Sequence, residues 1–381
     1  MKYKLKEIVD ITMGQSPKST YYNKVGSGYP FLQGNRTFGY KYPIFDTYTT
    51  VMTKHAKAGD VIMSVRAPVG DLNITPVDIC LGRGVCSLRM KNGNQDFLFY
   101  MMKYYVSHLL RKESGTVFGS VNKNDISGLE VDIPDDPQVQ KKIARYLEMI
   151  DEKIEINNAI NNNLEQQAQA YFNELFVVNA DPNWSECTLS DIGSVVAGGT
   201  PSKSKPEYYA DQGIAWITPK DLSVNKSKFI SHGENDISEL GFSKSSVAKL
   251  PAGTILFSSR APIGYIAIAQ NEVTTNQGFK SVIPNENIST AYMYFLLKNL
   301  LPTIEGMASG STFKEISGAA MKSVPTVMPD ADTIQLFSSF CEPVFKEQEI
   351  LEAENQRLSA LRDSLLPKLM SGELDVSNIE L

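Results

Sequence analysis

From Ile143 onward, alternating steps of four and three visit Ile143, Leu147, Ile150, Ile154, Asn157, Asn161, Leu164, Ala168, Tyr171 and Leu175, eight of ten apolar. That is the period of a coiled-coil seam. The same stepping 194 positions later visits Phe337, Cys341, Val344, Gln348, Leu351, Asn355, Leu358, Arg362, Leu365 and Leu369, seven of ten apolar. Two long helices are therefore predicted, the second less cleanly patterned. Pro343 falls near the start of the second, where a missing amide matters little, whereas Pro367 is expected to kink or end it, so that helix is carried no further than residue 366. A stretch of about 34 residues rises roughly 50 Å, more than closing a core requires. A globular stretch separates the helices in sequence, so they can run antiparallel as a spacer with one globule at each end; two ordinary core helices are the other reading. Asn161 and Asn355 hold equivalent seam positions, either as a buried amide pair that fixes register or as a solvated gap.

Outside the helices the pattern is one of short apolar runs punctuated by turn residues, and it occurs twice. "AGDVIMSVRAPVG" at 58–70 aligns without a gap against "AGTILFSSRAPIG" at 252–264, and Gly84 meets Gly278 at the same offset. Upstream, Leu5, Ile8 and "GQSP" at 14–17 parallel Leu189, Ile192 and "GGTPS" at 198–202; downstream, "GSVNKNDISGLEVDIP" at 119–134 resembles "GSTFKEISGAAMKSVP" at 310–325. Each copy leads into one of the long helical patterns. The run "TILFSSRAPIGYIAIA" reads as two buried strands joined through the Ala-Pro-Ile-Gly turn. The chain is thus expected to hold two tandem globular units, residues 1–135 and 181–329, and two helical segments, 136–180 and 330–381, in an α+β fold with pseudo-two-fold symmetry: two α/β units separated by a long antiparallel coiled coil.

At 381 residues there is enough apolar content for two or three domains. Four cysteines without paired or metal-type spacing favour a reducing cytoplasm, and no apolar signal core or membrane segment is present. The net charge of −6 changes meaning when divided: the helical segments carry −10 and the globular units +4, with +5 in the first and −1 in the second. Acidity belongs to the spacer, and a nucleic-acid partner needs only local positive charge. No Gly-x-x-x-x-Gly-Lys phosphate loop occurs, "GRG" at 82–84 lacks the third glycine of a dinucleotide fold, and no Asn-Pro-Pro-aromatic run suggests an amino-methyltransferase. His55, His108 and His232 have no His or Cys neighbour at ligand spacing. No active site is predicted.

The order unit, helix, unit, helix, with "VDIPDDPQVQKKIARYLEMID" leading into the first helix, "LSALRDSLLPKLMSGEL" closing the second and the doubled "RAP[VI]G", resembles the specificity subunit of type I restriction-modification enzymes over nearly the whole chain. The resemblance implies that each globular unit is a target recognition domain reading one half of a split duplex DNA sequence. It implies that the helices set the spacing and dock two methyltransferase subunits per chain. Those subunits bring S-adenosylmethionine, none being bound by this chain, and a restriction and translocation subunit joins the same assembly. The run "PDDPQVQ" departs from the family's Pro-Pro-rich approach to the helix, and "PTVMPDADTIQ" departs further.

Domains that read different half-sites should agree where they hold shape and differ where they touch bases. "FLQGNRTFGYKY" at 31–42 and "WITPKDLSVNKSK" at 216–228 begin alike and then diverge into polar and basic residues. Gln33, Asn35, Arg36, Thr218 and Lys220 are candidates for base edges, and Lys41, Lys226 and Lys228 for phosphates; solvated loops are the alternative. Lys18, Lys203 and Lys205, in the glycine turns, are candidates for backbone contact, or the turns are bare. Arg66 and Arg260 either reach DNA or brace the turn that follows them. Ile150, Asn161, Leu164, Leu351, Asn355 and Leu358 are the expected coiled-coil and partner-docking positions. A coiled-coil scaffold that binds proteins and has no DNA specificity is the rival reading.

Overall fold

The computed structural model describes residues 1–111, 120–310 and 314–376. Gly119 of the first "GSVNKND" stretch, residues 311–313 of its counterpart and the tail 377–381 lie outside the described residues. The chain divides into two compact units, the first made of Met1–Ile156 with Asn355–Leu381 and the second of Asn157–Glu354.

The first unit contains β1 (Val9–Met13), β2 (Tyr29–Leu32), β3 (Val61–Ser64), β4 (Leu72–Ile74), β5 (Ile79–Leu81), β6 (Val85–Met90), helix α1 (Gln95–Arg111) and the start of helix α2 (Pro137–Asn173). An antiparallel sheet has the order β1-β6-β3-β4, while β2 and β5 pair in parallel within a second sheet. All four residues of β3 are buried because its side chains alternate between two cores. Val61 and Met63 enter the large core with α1, and Ile62 enters a smaller one with Leu32, Ile79, Leu81 and Val85. This two-sided burial is why the segment reads as an unbroken apolar run.

The second unit repeats the plan with β7 (Gly193–Ala197), β8 (Ile214–Ile217), β9 (Phe229–Ile230), β10 (Ile255–Ser259), β11 (Ile263–Ala269), β12 (Lys280–Pro284), helix α3 (Thr290–Met307) and the first part of helix α4 (Ala331–Ser371). The sheet order is β7-β12-β10-β11-β9. Ile255 and Phe257 face one core and Leu256 the other. β8 pairs in parallel with Thr274–Thr275 as β2 does with β5.

The doubled heptapeptide is accounted for by shape. Ser64 Oγ donates to the Pro68 carbonyl at 2.8 Å and accepts from the Asp71 amide at 2.9 Å; Ser258 Oγ does the same with Pro262 at 2.9 Å and Tyr265 at 2.8 Å. Gly70 and Gly264 both have φ +96°, and a Cβ there would lie 2.5 Å from Val106 on α1 or 2.6 Å from Leu301 on α3. Only glycine meets both demands. The Ala-Pro bonds of both copies are cis.

Asp136 accepts from the Gln138 amide at 2.8 Å and Asp330 from the Thr333 amide at 2.8 Å, so aspartates 194 positions apart cap the two long helices. All twenty positions of the apolar stripes are buried or half-buried. In contrast to the expected stop at 366, α4 continues through Pro367 to Ser371. Leu366, Leu369 and Met370 pack into the first unit's core. Burying each contributes about 1.5–3 kcal/mol, which offsets the roughly 3 kcal/mol that an interior proline costs.

The two helices run antiparallel within each unit and are tied by polar contacts as well as apolar ones. In the second unit the Asn157 amide donates to Glu354 at 2.7 Å, and Gln348 donates to the Asn161 carbonyl at 3.1 Å. Asn161 is thus engaged through its backbone carbonyl, whereas the sequence reading, a buried amide pair with Asn355 or a solvated gap, concerned its side chain. In the first unit Asp151, 1% exposed, accepts from Tyr40 at 2.6 Å, Tyr100 at 2.8 Å and Arg362 at 2.8 Å. Burial opposes its ionisation, but the Lys103 ammonium and the bonds from Tyr40, Arg362 and Tyr100 outweigh burial and hold the carboxyl below its ordinary range. Its stabilisation is therefore present above the unfolded value of about 3.9 and is lost as pH falls through the lower folded value.

Replacing Asp151 by Ala removes the buried partner of Arg362 and leaves it only the exposed Asp363 as a carboxylate partner, and the first unit should lose about 3 kcal/mol in urea unfolding. The stability gap between wild type and Asp151→Asn should shrink as pH is lowered below about 4. A gap independent of pH would show that the ionised carboxylate is not what stabilises the cluster.

A candidate nucleic-acid interface in each unit

Three loops meet at one place in the first unit. The Gly14 amide donates to Val85 at 3.0 Å, Gln15 to Leu81 at 2.9 Å, Gly82 to Leu32 at 2.7 Å and Gly84 to Gln33 at 2.9 Å. The contacts leave no room for side chains: a Cβ on Gly14 would lie 2.0 Å from the Gly82 carbonyl, and one on Gly82 2.6 Å from the Gln33 Cα. The Val65 amide donates to Gly84 at 2.9 Å, which brings the Arg-Ala-Pro turn to the same junction. Thus "GQSP", "FLQGNR", "GRG" and "SVRAPVG", dispersed in sequence, are adjacent in space.

The second unit makes the same junction. Gly199 donates to Thr275 at 2.9 Å, Asn276 to Ile217 at 3.0 Å and Ser259 to Gly278 at 2.7 Å. A Cβ on Gly198 would lie 1.9 Å from the Asn276 carbonyl. The Trp216 indole donates to Gly199 at 3.0 Å.

Of the expected contact residues, Lys18, Gln33, Arg66, Lys203 and Lys226 are exposed and make no side-chain ion pair among the described residues. Others are exposed or half-exposed but committed. Asn35 donates to Asp71 at 2.5 Å, Arg36 pairs with Asp46 at 2.7 Å, Lys220 with Glu234 at 2.6 Å, and Lys205 donates to the Tyr208 hydroxyl at 3.3 Å. Thr218 donates to Asp221 at 2.6 Å and begins a short helix at Pro219. Arg260 pairs with Glu315 of a segment 55 residues further on, at 3.3 Å.

Lys41 and Lys228 are corrected by the structure: neither is on the surface. Lys41, 4% exposed, pairs with Glu148 of α2 at 3.1 Å; burial alone would lower its ammonium, but Glu148 raises it. Lys228, 8% exposed, pairs with Glu165 of α2, donates to Gln348 of α4 at 2.6 Å and lies 4.0 Å from the Phe345 ring centroid. Glu352 of α4 accepts from the Lys228 and Phe229 amides at 2.8 and 3.1 Å. These lysines pin the ends of the variable loops to the long helices. An ammonium buried against a helix carboxylate is not presented to a phosphate in solvent.

The docking candidates Ile150, Asn161, Leu164, Asn355 and Leu358 are half-buried and Leu351 is buried, within the seam. Outward-facing apolar side chains missed by the seam reading include Met149, Ile156 and Leu361 in the first unit, and Ile160 and Ile350 in the second, each 41–55% exposed. Arg83 and Gln277, exposed at equivalent positions of the two junctions, were also missed. Their only signal is the matched Gly84 and Gly278 beside them. No helix among the described residues is long and apolar enough to cross a membrane, and no three metal-ligating side chains gather among them.

Close loop packing through glycine predicts that Gly14→Ala pushes the 82–84 turn away. Amide hydrogen exchange at residues 31–36 and 82–85 should rise by an order of magnitude or more, with α1 unaffected, as expected for a local opening that now costs about 1.4 kcal/mol less. Unchanged protection there would show that the junction tolerates a methyl group.

A family model for the type I restriction modification DNA specificity domain matches residues 1–166 and 182–360. The type I restriction enzyme MjaIX specificity subunit of Methanocaldococcus jannaschii is 38% identical over 190 residues, 48% of this chain and 44% of that protein. The chain thus spans under half the length of that relative. The type I restriction enzyme HindI specificity subunit of Haemophilus influenzae is 26% identical over 409 residues, covering 84% of this chain and 88% of its own. In fold, the chain resembles the crystal structure of a type I restriction-modification system S subunit from M. genitalium, with TM-score 0.60 at 18% identity over 97% of this chain and 95% of that one.

Proposed function

We infer the function from one premise: the chain belongs to the type I restriction-modification DNA specificity family. It is a sequence-reading adaptor for duplex DNA. Each unit reads one half of a bipartite target through its loop junction, and the paired helices set the spacing and dock methyltransferase subunits. The observation that carries this reading is that the repeated motifs converge in each unit on a rigid junction, whose exposed side chains differ between the two copies. That is what a scaffold shared between two different base sequences requires.

Methylation chemistry and S-adenosylmethionine come from the partner subunits, with the restriction and translocation subunit joining the same complex. Outward apolar residues on the long helices suit that docking, because large exposed apolar side chains on a helix favour burial against a partner. They are supported in this role by the fact that their neighbours in the seam are already used.

The deciding experiment is co-expression of the chain with the methyltransferase subunits, followed by mapping of methylated adenines in the host DNA. A single bipartite motif is expected, and Arg66→Ala should weaken recognition of one half only. Loss of both halves together, or methylation without a motif, would leave the scaffold reading in place.

Docking has its own test. Met149→Asp with Ile156→Asp should reduce co-purification of methyltransferase by at least about tenfold, some 1.4 kcal/mol, while the melting temperature stays close to wild type. Undiminished co-purification would place the docking surface elsewhere.

A further inference from the structure

We propose that Arg83 and Gln277 are the matched base-reading residues of the two units, Arg83 directed to guanine and Gln277 to adenine; the inference rests on the DNA-reading function above and adds the residues and the bases.

The two positions are 194 apart, the offset that also relates the doubled heptapeptides, the helix-capping aspartates and the helical stripes, and each lies one residue before the matched Gly84 or Gly278. Backbone bonds place them alike. Gly82 and Gly84 on either side of Arg83 donate to Leu32 and Gln33 at 2.7 and 2.9 Å, and Asn276 beside Gln277 donates to Ile217 at 3.0 Å. Both therefore sit where the variable loop begins. Gly14, Gly82 and Gly84 present no side chains at the first junction, and the crowding around them forbids any. Arg83 is accordingly the long side chain at the tip of its turn, as Gln277 is in the second unit, and both are exposed.

Neither side chain is consumed by the fold. The Arg83 amide donates to Ser16 Oγ at 3.1 Å, but its guanidinium makes no hydrogen bond or ion pair among the described residues, in contrast to Arg36 and Arg260. Gln277 Oε1 accepts from the Thr200 hydroxyl. That bond uses one lone pair and orients the carboxamide, leaving the second lone pair and both N–H donors. Guanine offers two acceptors, N7 and O6, to a guanidinium fork; adenine offers an acceptor and a donor, N7 and N6, to a carboxamide. Two copies of one junction that differ in this residue would present different codes on the same scaffold. A phosphate contact is the competing role for Arg83, and it would carry no base preference.

The test uses the full chain, co-purified with its methyltransferase subunits, to select duplexes from a library randomised across both half-sites. Arg83→Gln should change one guanine to adenine in one half-site and leave the other half-site as it was. Gln277→Arg should change one adenine to guanine in the opposite half-site. Arg83→Ala should reduce preference for its guanine roughly 5- to 150-fold, the range of one bidentate base contact. All three variants are at exposed sites, and equal melting temperatures will confirm that they fold. Unchanged consensus sequences overturn the inference while the DNA-reading function stands. Uniform weakening across all sequences, with a shallower salt dependence, also overturns it and makes Arg83 a phosphate contact. A wild-type chain that selects no bipartite consensus overturns the function itself.

Discussion

Each unit depends on a carboxylate of α2 set among cations, fully buried in the first unit and half-buried in the second. Asp151 in the first unit and Glu165 in the second gather cations from several segments: Asp151 holds Arg362 and Lys103, and Glu165 holds Lys228 and Lys298. Desolvating such a group is unfavourable by several kcal/mol and is tolerated only when opposite charges and hydrogen bonds surround it. That requirement constrains everything nearby. The helix pair is held in register because Arg362 must reach Asp151, and the variable loops are held to the helices because Tyr40 and Lys228 complete the shells. An apolar seam alone would allow neighbouring registers of similar energy; a buried charge network does not.

The constraint also explains the division of labour along each variable loop. Its beginning is locked by backbone hydrogen bonds to the glycine junction, at Leu32 and Gln33 or at Ile217, and its end by the buried lysine on the helices. Between two fixed ends the intervening residues can change without moving the scaffold. Asn35 and Arg36 hold acidic partners on the protein itself, which limits how far those side chains move when free of ligand. The loops are therefore pre-organised at both ends, and ordering them on binding would cost less than ordering a free loop.

Much of this was legible in the residues. The stripe from Ile143 to Leu175 and its copy were read from period alone, because a seam that must exclude water leaves a regular apolar record. The doubled heptapeptide was legible as a repeat, and its role as a turn emerged from the serine, the proline and the glycine together. Lys41 and Lys228 were not legible. A lysine in a polar loop reads as solvated, and nothing local betrays a partner 107 residues away at Glu148. Pro367 failed in the opposite direction: its local cost is plain in the sequence, while the core that holds Leu366, Leu369 and Met370 is assembled from distant segments. Arg83 escaped because a lone arginine between glycines matches no pattern until the junction is seen.

The electrostatics of the two units differ in a way that net charge conceals. Lys18, Arg66 and Arg83 of the first unit keep their charges unpaired among the described residues, as Lys203 and Lys226 of the second do. Lys220, Lys249 and Arg260 of the second, however, are each matched with a glutamate, and residues 181–329 hold 12 basic and 13 acidic residues against 17 and 12 in residues 1–135. Exposed ion pairs of this kind are worth little, about 0–1 kcal/mol, so they do not prevent a lysine from turning toward a phosphate. They do leave a carboxylate beside it, and that charge repels the same phosphate. On the DNA-reading function proposed, phosphate attraction then comes mainly from the first unit, which makes its binding the more salt-dependent. The second would rely more on neutral contacts such as the one proposed for Gln277, whose strength scarcely changes with ionic strength. A split target read by such a pair would be located electrostatically through one half and verified through the other.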